Sequence, residues 1–167
     1  HYFPYTKEVS STQLRKQSSF PTIEAVVAVF EENTDWVENF KYPVRKYVKG
    51  KDLPRDDHGR EAATYLYHII NNYDNLAGYT LFLQGNPFDH STTLETNFKN
   101  DFTWVAKSMA GTDPSGAPNS CLGIDLVWRA LFGEDMRQTV EFGAGGQFMA
   151  SRELIWTKPK AHYEKIL

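Results

Sequence analysis

The run Ile23 to Phe30, IEAVVAVF, constrains this chain more than any other stretch. It is apolar with no alternation, rich in valine, and bounded by the polar residues Glu31, Glu32, Asn33 and Thr34. That pattern predicts a strand buried on both faces, which needs a covering layer above and below it. Tyr79 to Leu83 (YTLFL) predicts a second buried strand, whereas Pro43 to Lys49 (PVRKYVK) alternates and predicts a more exposed one that stops at Gly50. Between them Asp35 to Phe40 suits a brief helix. Arg60 to Tyr73 carries Ala62, Leu66, Ile69, Ile70 and Tyr73 at helical spacing, with Asp56 or Asp57 as a candidate cap.

Further along, Thr92-Thr93-Leu94-Glu95 reads as a capping box that opens a helix with Leu94, Phe98 and Val105 facing inward. Residues 110–119 (AGTDPSGAPN) are the most turn-rich and predict a long loop. A helix from about Leu122 to Phe132 should end at Gly133, and Gly143 to Ala150 is glycine-rich and then strand-like. Ser151 caps a short helix, Arg152 to Trp156, and Pro159 opens a last one. Alternating strands and helices predict an α/β fold with a mostly parallel central sheet flanked by helices. Residues 1–22 read as a surface arm and 23–167 as a single α/β domain. Ligands of such sheets sit outside the carboxyl ends of the strands. Here those ends are Glu31-Glu32, Lys49-Gly50 and Gln84-Gly85-Asn86.

Composition narrows the function classes. The chain has 167 residues, 41% of them apolar and 14% aromatic, enough for one domain with a real core. Its net charge is -3 and its Lys and Arg are scattered, which argues against a nucleic-acid partner. No apolar run approaches the roughly 20 residues that cross a bilayer, so no membrane span is expected. Cys121 is the only cysteine, which excludes an internal disulfide and multi-cysteine metal motifs; a cytoplasmic location is the expectation.

Three constellations carry chemistry. In Gln84-Gly85-Asn86-Pro87-Phe88-Asp89-His90 the two amides suit sugar hydroxyls or bases, and Gly85 permits close approach to the backbone. The plainer reading is a turn whose side chains satisfy their own backbone. In His58-Gly59-Arg60-Glu61, Arg60 is placed to hold a phosphate or carboxylate by two bonds. Glu61, Tyr65, His68 and Asn72 recur beside it as a polar stripe, which is more often a solvated face or an internal hydrogen-bond network. In Gly143-Ala144-Gly145-Gly146-Gln147 the glycines suggest close backbone approach, flanked by Glu141 and Gln147, against the alternative of a strained turn into a strand. His58, His90, Asp57 and Asp89 match no standard zinc spacing, so neither a metal nor another cofactor is expected. Ser151 lacks the nucleophile elbow, and no histidine pairs with Cys121.

Two resemblances add to this reading. GREAATYLYHIINNYDNLAGYTLFLQGNPFDH closely resembles the core of a widespread family catalogued as a domain of unknown function. Its members read N-x-G-R-E-A, Y-L-x-x-I and N-Y-D-x-L, followed by an apolar strand and a polar loop with histidine. AVVAVFEENTDWV resembles that family's first strand and its acidic-x-x-x-W turn, and His58 stands where the family often has Asn or Lys. GAGGQFMASREL, followed by HYEKIL, is similar to the acceptor-side segment of glycosyltransferases with the nucleotide-diphosphosugar fold. This second resemblance implies a compact fold of that kind, in which YTLFL would be the strand that delivers a metal-binding Asp-x-Asp. Gln84-Gly85-Asn86 stands there instead, without the carboxylates that grip a divalent ion.

The resemblance implies a glycosyltransferase-like enzyme that binds a sugar nucleotide without the usual metal site. Glu31 and Glu32 would lie near the nucleotide, Arg60 on phosphate, and Glu61, Gln84, Gly85, Asn86, His90, Gly146 and Gln147 on the ligand. Asp89 or Glu141 would be the base that takes the acceptor proton. The alternatives are a non-catalytic carbohydrate- or nucleotide-binding module, and a metal-dependent hydrolase built on His58, His90, Asp57 and Asp89.

Overall fold

The computed structural model describes residues 22–54, 59–89, 91, 93–94, 100–105, 109–112, 124–137 and 139–167. The expected arm, apart from Thr22, lies outside the described residues. So do Asp56, Asp57, His58, His90, Thr92, Glu95, Phe98 and Cys121.

Strand β1 (Ile23–Val29) is the core strand, buried from Glu24 through Val29. Strands β2 (Val44–Val48) and β3 (Tyr79–Gln84) flank it, both parallel, with Ala25 opposite Val44 and Ile23 opposite Tyr79. Because successive strand residues point to opposite faces, the continuous apolar run feeds two cores. Val26, Ala28 and Phe82 pack under helix α1 (Arg60–Asn72) with Tyr65 and Ile69. Ala25, Val27, Val29, Leu81 and Leu83 fill the other face with Val105 and Met149, next to Trp36 and Phe40 of a 3-10 turn at Asp35–Asn39.

The sheet is mixed, not mostly parallel. Its order is β2-β1-β3-β7-β4, where β7 (Phe148–Ser151) runs antiparallel to both β3 and β4 (Phe102–Trp104). The cause is the glycine turn. The backbone at Gly145 and Gly146 takes φ of 83° and 62°, conformations that side-chain-bearing residues resist, and this turn feeds β7. The strand therefore starts at the carboxyl end of β3, with Phe148 opposite Phe82, and runs back to place Ser151 opposite Tyr79. A short strand's pattern reports its burial but not its direction.

Residues 102–104 are extended where a helix running to Val105 was expected, although Val105 is buried as foreseen. Phe102 stacks on Phe148 with ring centroids 5.4 Å apart, so aromatic packing across the sheet outweighs the helical signal. The start of the expected 110–119 loop is strand β5 (Met109–Thr112), paired with β6 (Val140–Gly143) in a separate two-stranded sheet. Helix α2 (Ile124–Phe132) ends at Gly133, whose φ is 73°. Ser151 caps α3 (Arg152–Ile155) as expected, its hydroxyl accepting from the Leu154 amide at 3.1 Å, and α4 (Lys160–Ile166) follows Pro159.

Helix α1 is rotated relative to its apolar stripe. Ala62 is exposed and Leu66 and Ile70 are half-buried, whereas Ala63, Thr64, Tyr65, His68 and Ile69 are buried. The polar stripe thus faces the sheet, because β2 presents a polar partner there. The Tyr47 hydroxyl lies 3.0 Å from His68 Nδ1, and Asn72 Nδ2 donates to the His68 carbonyl at 2.8 Å. Burial, helped by the charge of Arg45, lowers the His68 pKa to about 4. Among the described residues no helix is long and apolar enough to cross a membrane.

Candidate functional site

A cleft of ≈ 430 Å³ opens at the carboxyl ends of β1 and β3. The register fixes its floor, because Ala28 pairs with Gln84 on one side and with Tyr47 on the other. Val29 and Phe30 continue one wall, Lys49 follows the end of β2, and the first turn of α1 adds Arg60 and Glu61. Glu32, Asn86 and Asp89 complete the lining. The two segments singled out in the sequence therefore meet in one place.

Each polar group is held by a neighbour. Gln84 Nε2 donates to Glu61 Oε1 at 2.9 Å, and Arg60 Nε lies 3.7 Å from Glu61 Oε2. Arg60 itself has φ of 50°, a left-handed conformation that costs a non-glycine residue about 1–3 kcal/mol. Its side chain is 85% exposed, so the turn aims the guanidinium outward over the cleft. Asn86 Nδ2 donates to Asp89 Oδ1 at 2.8 Å. Glu32 Oε2 accepts the Phe30 amide at 2.7 Å and leans over Gly85, where a β-carbon would stand only 2.5 Å from that oxygen. The Gly85 carbonyl accepts from Trp36 Nε1 at 2.8 Å, and Trp36 meets the Phe88 ring edge-on at 5.8 Å. These bonds fix the 84–89 turn from both sides.

The glycine turn reaches the site from behind. A β-carbon on Gly146 would lie 3.5 Å from Glu61 Oε1, so Gly146 abuts that carboxylate. Gln147 is fully buried and does not line the cleft; its Nε2 donates to the Pro87 carbonyl at 3.0 Å, while its Oε1 has no hydrogen-bond partner among the described residues. It supports the loop from the interior. Tyr65, one helical turn from Glu61, has a buried hydroxyl without a hydrogen-bond partner among the described residues. Burial and the Glu61 charge push its pKa well above the ordinary phenol range.

The expected residues divide accordingly. Glu32, Arg60, Glu61, Gln84, Asn86 and Asp89 line the cleft, with Gly85 and Gly146 shaping it. Glu31 is exposed and does not line it. Glu141 is exposed on β6, opposite Gly111, and is also absent from the lining. His58, His90 and Asp57 lie outside the described residues. Phe30 also lines the cleft, although the sequence marks it only as the last member of an apolar run; an aromatic at the mouth end of a buried strand is the available signal.

The divalent ion implied by the nucleotide-diphosphosugar resemblance does not fit these residues. Gln84 and Asn86 offer neutral amide oxygens, and each commits an N–H to a carboxylate. Among the described residues no three His, Cys, Asp or Glu stand close enough to hold a metal.

Comparison with known proteins gives a family without an assigned activity. The sequence model of the family described as Protein of unknown function (DUF3431) matches residues 25–110, just over half of the chain and every residue that lines the cleft. No curated protein and no solved structure matches.

Proposed function

We propose that this chain, which belongs to the DUF3431 family of proteins of unknown function, is a glycosyltransferase-like enzyme that binds a sugar nucleotide without an Asp-x-Asp metal site. One observation carries the reading. Two cations, Lys49 and Arg60, share a strand-end cleft with two amide–carboxylate pairs, Gln84–Glu61 and Asn86–Asp89. A sugar nucleotide needs both kinds of group. Its diphosphate calls for cations, and the planar fork of Arg60 suits two phosphate oxygens at once. Its hydroxyls call for mixed donors and acceptors, and each pair sets an amide beside a carboxylate at the cleft.

Transfer further requires a carboxylate to take the proton of the acceptor hydroxyl as the glycosidic bond forms. Among the described residues three carboxylates line the cleft, Glu32, Glu61 and Asp89; Glu141 is not one of them. With neutral amides where a metal would be gripped, Arg60 and Lys49 carry the charge of the departing diphosphate, and affinity for the donor is independent of divalent ions. A second reading, a carbohydrate- or nucleotide-binding module without catalysis, is favoured by those same amides. Calorimetry with UDP-, GDP- and ADP-linked sugars tests the binding, and release of the nucleoside diphosphate separates enzyme from module.

A further inference from the structure

Resting on the reading of the cleft as a sugar-nucleotide site, we infer that Glu61, and neither Asp89 nor Glu141, is the general base that takes the acceptor proton. The three lining carboxylates are not equivalent. Glu32 is committed to the wall, accepting the Phe30 amide and filling the space that Gly85 leaves open. Asp89 is exposed on the rim and held by Asn86, so solvent screens its charge.

Glu61 alone is both fixed and partly withdrawn from water, its side chain 24% exposed. Gln84 anchors Oε1 at 2.9 Å, while among the described residues Oε2 has only the more distant Arg60 Nε at 3.7 Å. One oxygen sets the orientation and the other is presented. A base locked in this way loses little freedom when it meets its proton. Gly146 adjoins the carboxylate without a side chain that would cover it, and the buried Tyr65 hydroxyl one helical turn away has no hydrogen-bond partner among the described residues. Neither Asp89 nor Glu32 has such surroundings.

The step balances within the cleft. Glu61 Oε2 takes the proton of the acceptor hydroxyl, and the acceptor oxygen forms a bond to the anomeric carbon. The bond from that carbon to the diphosphate oxygen breaks, and its electron pair leaves on the diphosphate between Arg60 and Lys49. Arg60 thus stands beside both the base and the leaving group.

Hydrolysis of UDP-, GDP- and ADP-linked sugars, with water as the acceptor, tests the assignment in Glu61→Gln and Asp89→Asn. Glutamine at 61 keeps the hydrogen bond to Gln84, so the fold survives. Glu61→Gln should still bind the donor, lose about 100-fold or more in kcat, and lose the acidic limb of the pH–rate profile. Asp89→Asn should raise KM and keep that limb. Wild-type kcat in Glu61→Gln, or loss of the limb in Asp89→Asn instead, overturns the assignment while the donor site stands. A wild type that binds donors but never cleaves them also overturns it and leaves a binding module. A wild type that binds no donor removes the sugar-nucleotide reading and this inference together.

Discussion

Gln84 Nε2 donates to Glu61 Oε1 across 2.9 Å, joining the end of β3 to the first turn of α1. This bond makes one site out of two sequence segments, and it depends on one partner being neutral. Gln84→Ala should cost about 0.5–1.5 kcal/mol of stability, the usual worth of a hydrogen bond. Gln84→Glu should cost more at pH 7, since it sets two carboxylates face to face. Urea denaturation of both variants at pH 7 measures this.

Arg60 pairs an unfavourable backbone with an exposed side chain, a combination expected of a ligand-binding residue. Arg60→Gly should keep or raise stability by about 1 kcal/mol, because glycine adopts its φ of 50° without penalty. It should weaken binding of a nucleoside diphosphate by about 1.5–3 kcal/mol. A parallel loss of stability and binding would mean that the guanidinium is structural.

Glu32 and Gly85 form a contact pair that substitution should reveal. Gly85→Ala puts a β-carbon against the Glu32 carboxyl group and its Cβ, at 2.5–3.0 Å, so the side chain must swing away and the Phe30 amide loses its acceptor. Stability should fall by about 1 kcal/mol. Glu32→Ala should remove most of that cost from the double variant, giving a non-additive cycle. Additive effects would show that Gly85 matters for another reason.

The sequence disclosed the site better than the sheet. Residues at the ends of buried strands could be named because strand-end placement follows from the apolar runs IEAVVAVF and YTLFL alone. Arg60 and Asn86 then had to meet once β1 and β3 paired in parallel. The direction of β7 was not legible, since it is decided by the glycine turn and by Phe148 packing among Phe82, Phe102 and Tyr65. Nor was the phase of α1. Its polar stripe faces inward only because Tyr47 of β2 waits there for His68, a contact between residues 21 apart that no local pattern announces. Lys49 stands at a strand end that the apolar pattern marks, whereas Glu141 is close to the glycines in sequence but lies on the other sheet.

His68 should make the fold acid-sensitive. Burial holds its pKa near 4, below the 6.5 of an exposed imidazole, so the unfolded chain binds this proton first. Its contribution is fully present above pH 6.5 and declines as pH falls toward 4, by about 1.4 kcal/mol per unit and about 3 kcal/mol in all. Chemical denaturation between pH 7 and 4.5 should show this slope, and His68→Gln should flatten it. The carboxylates titrate equally in both proteins and cancel from the comparison.

Titration of the purified protein with UDP-, GDP- and ADP-linked sugars in a calorimeter, with manganese and then with EDTA, tests the central claim most directly. At least one donor should bind in the cleft with an affinity that EDTA leaves unchanged, because the amides of Gln84 and Asn86 give a divalent ion no carboxylate grip. Gln84→Asp with Asn86→Asp should then make binding respond to manganese, since the diphosphate would lie beside this loop. No donor binding under either condition, or binding by the unaltered protein that EDTA abolishes, would contradict the account.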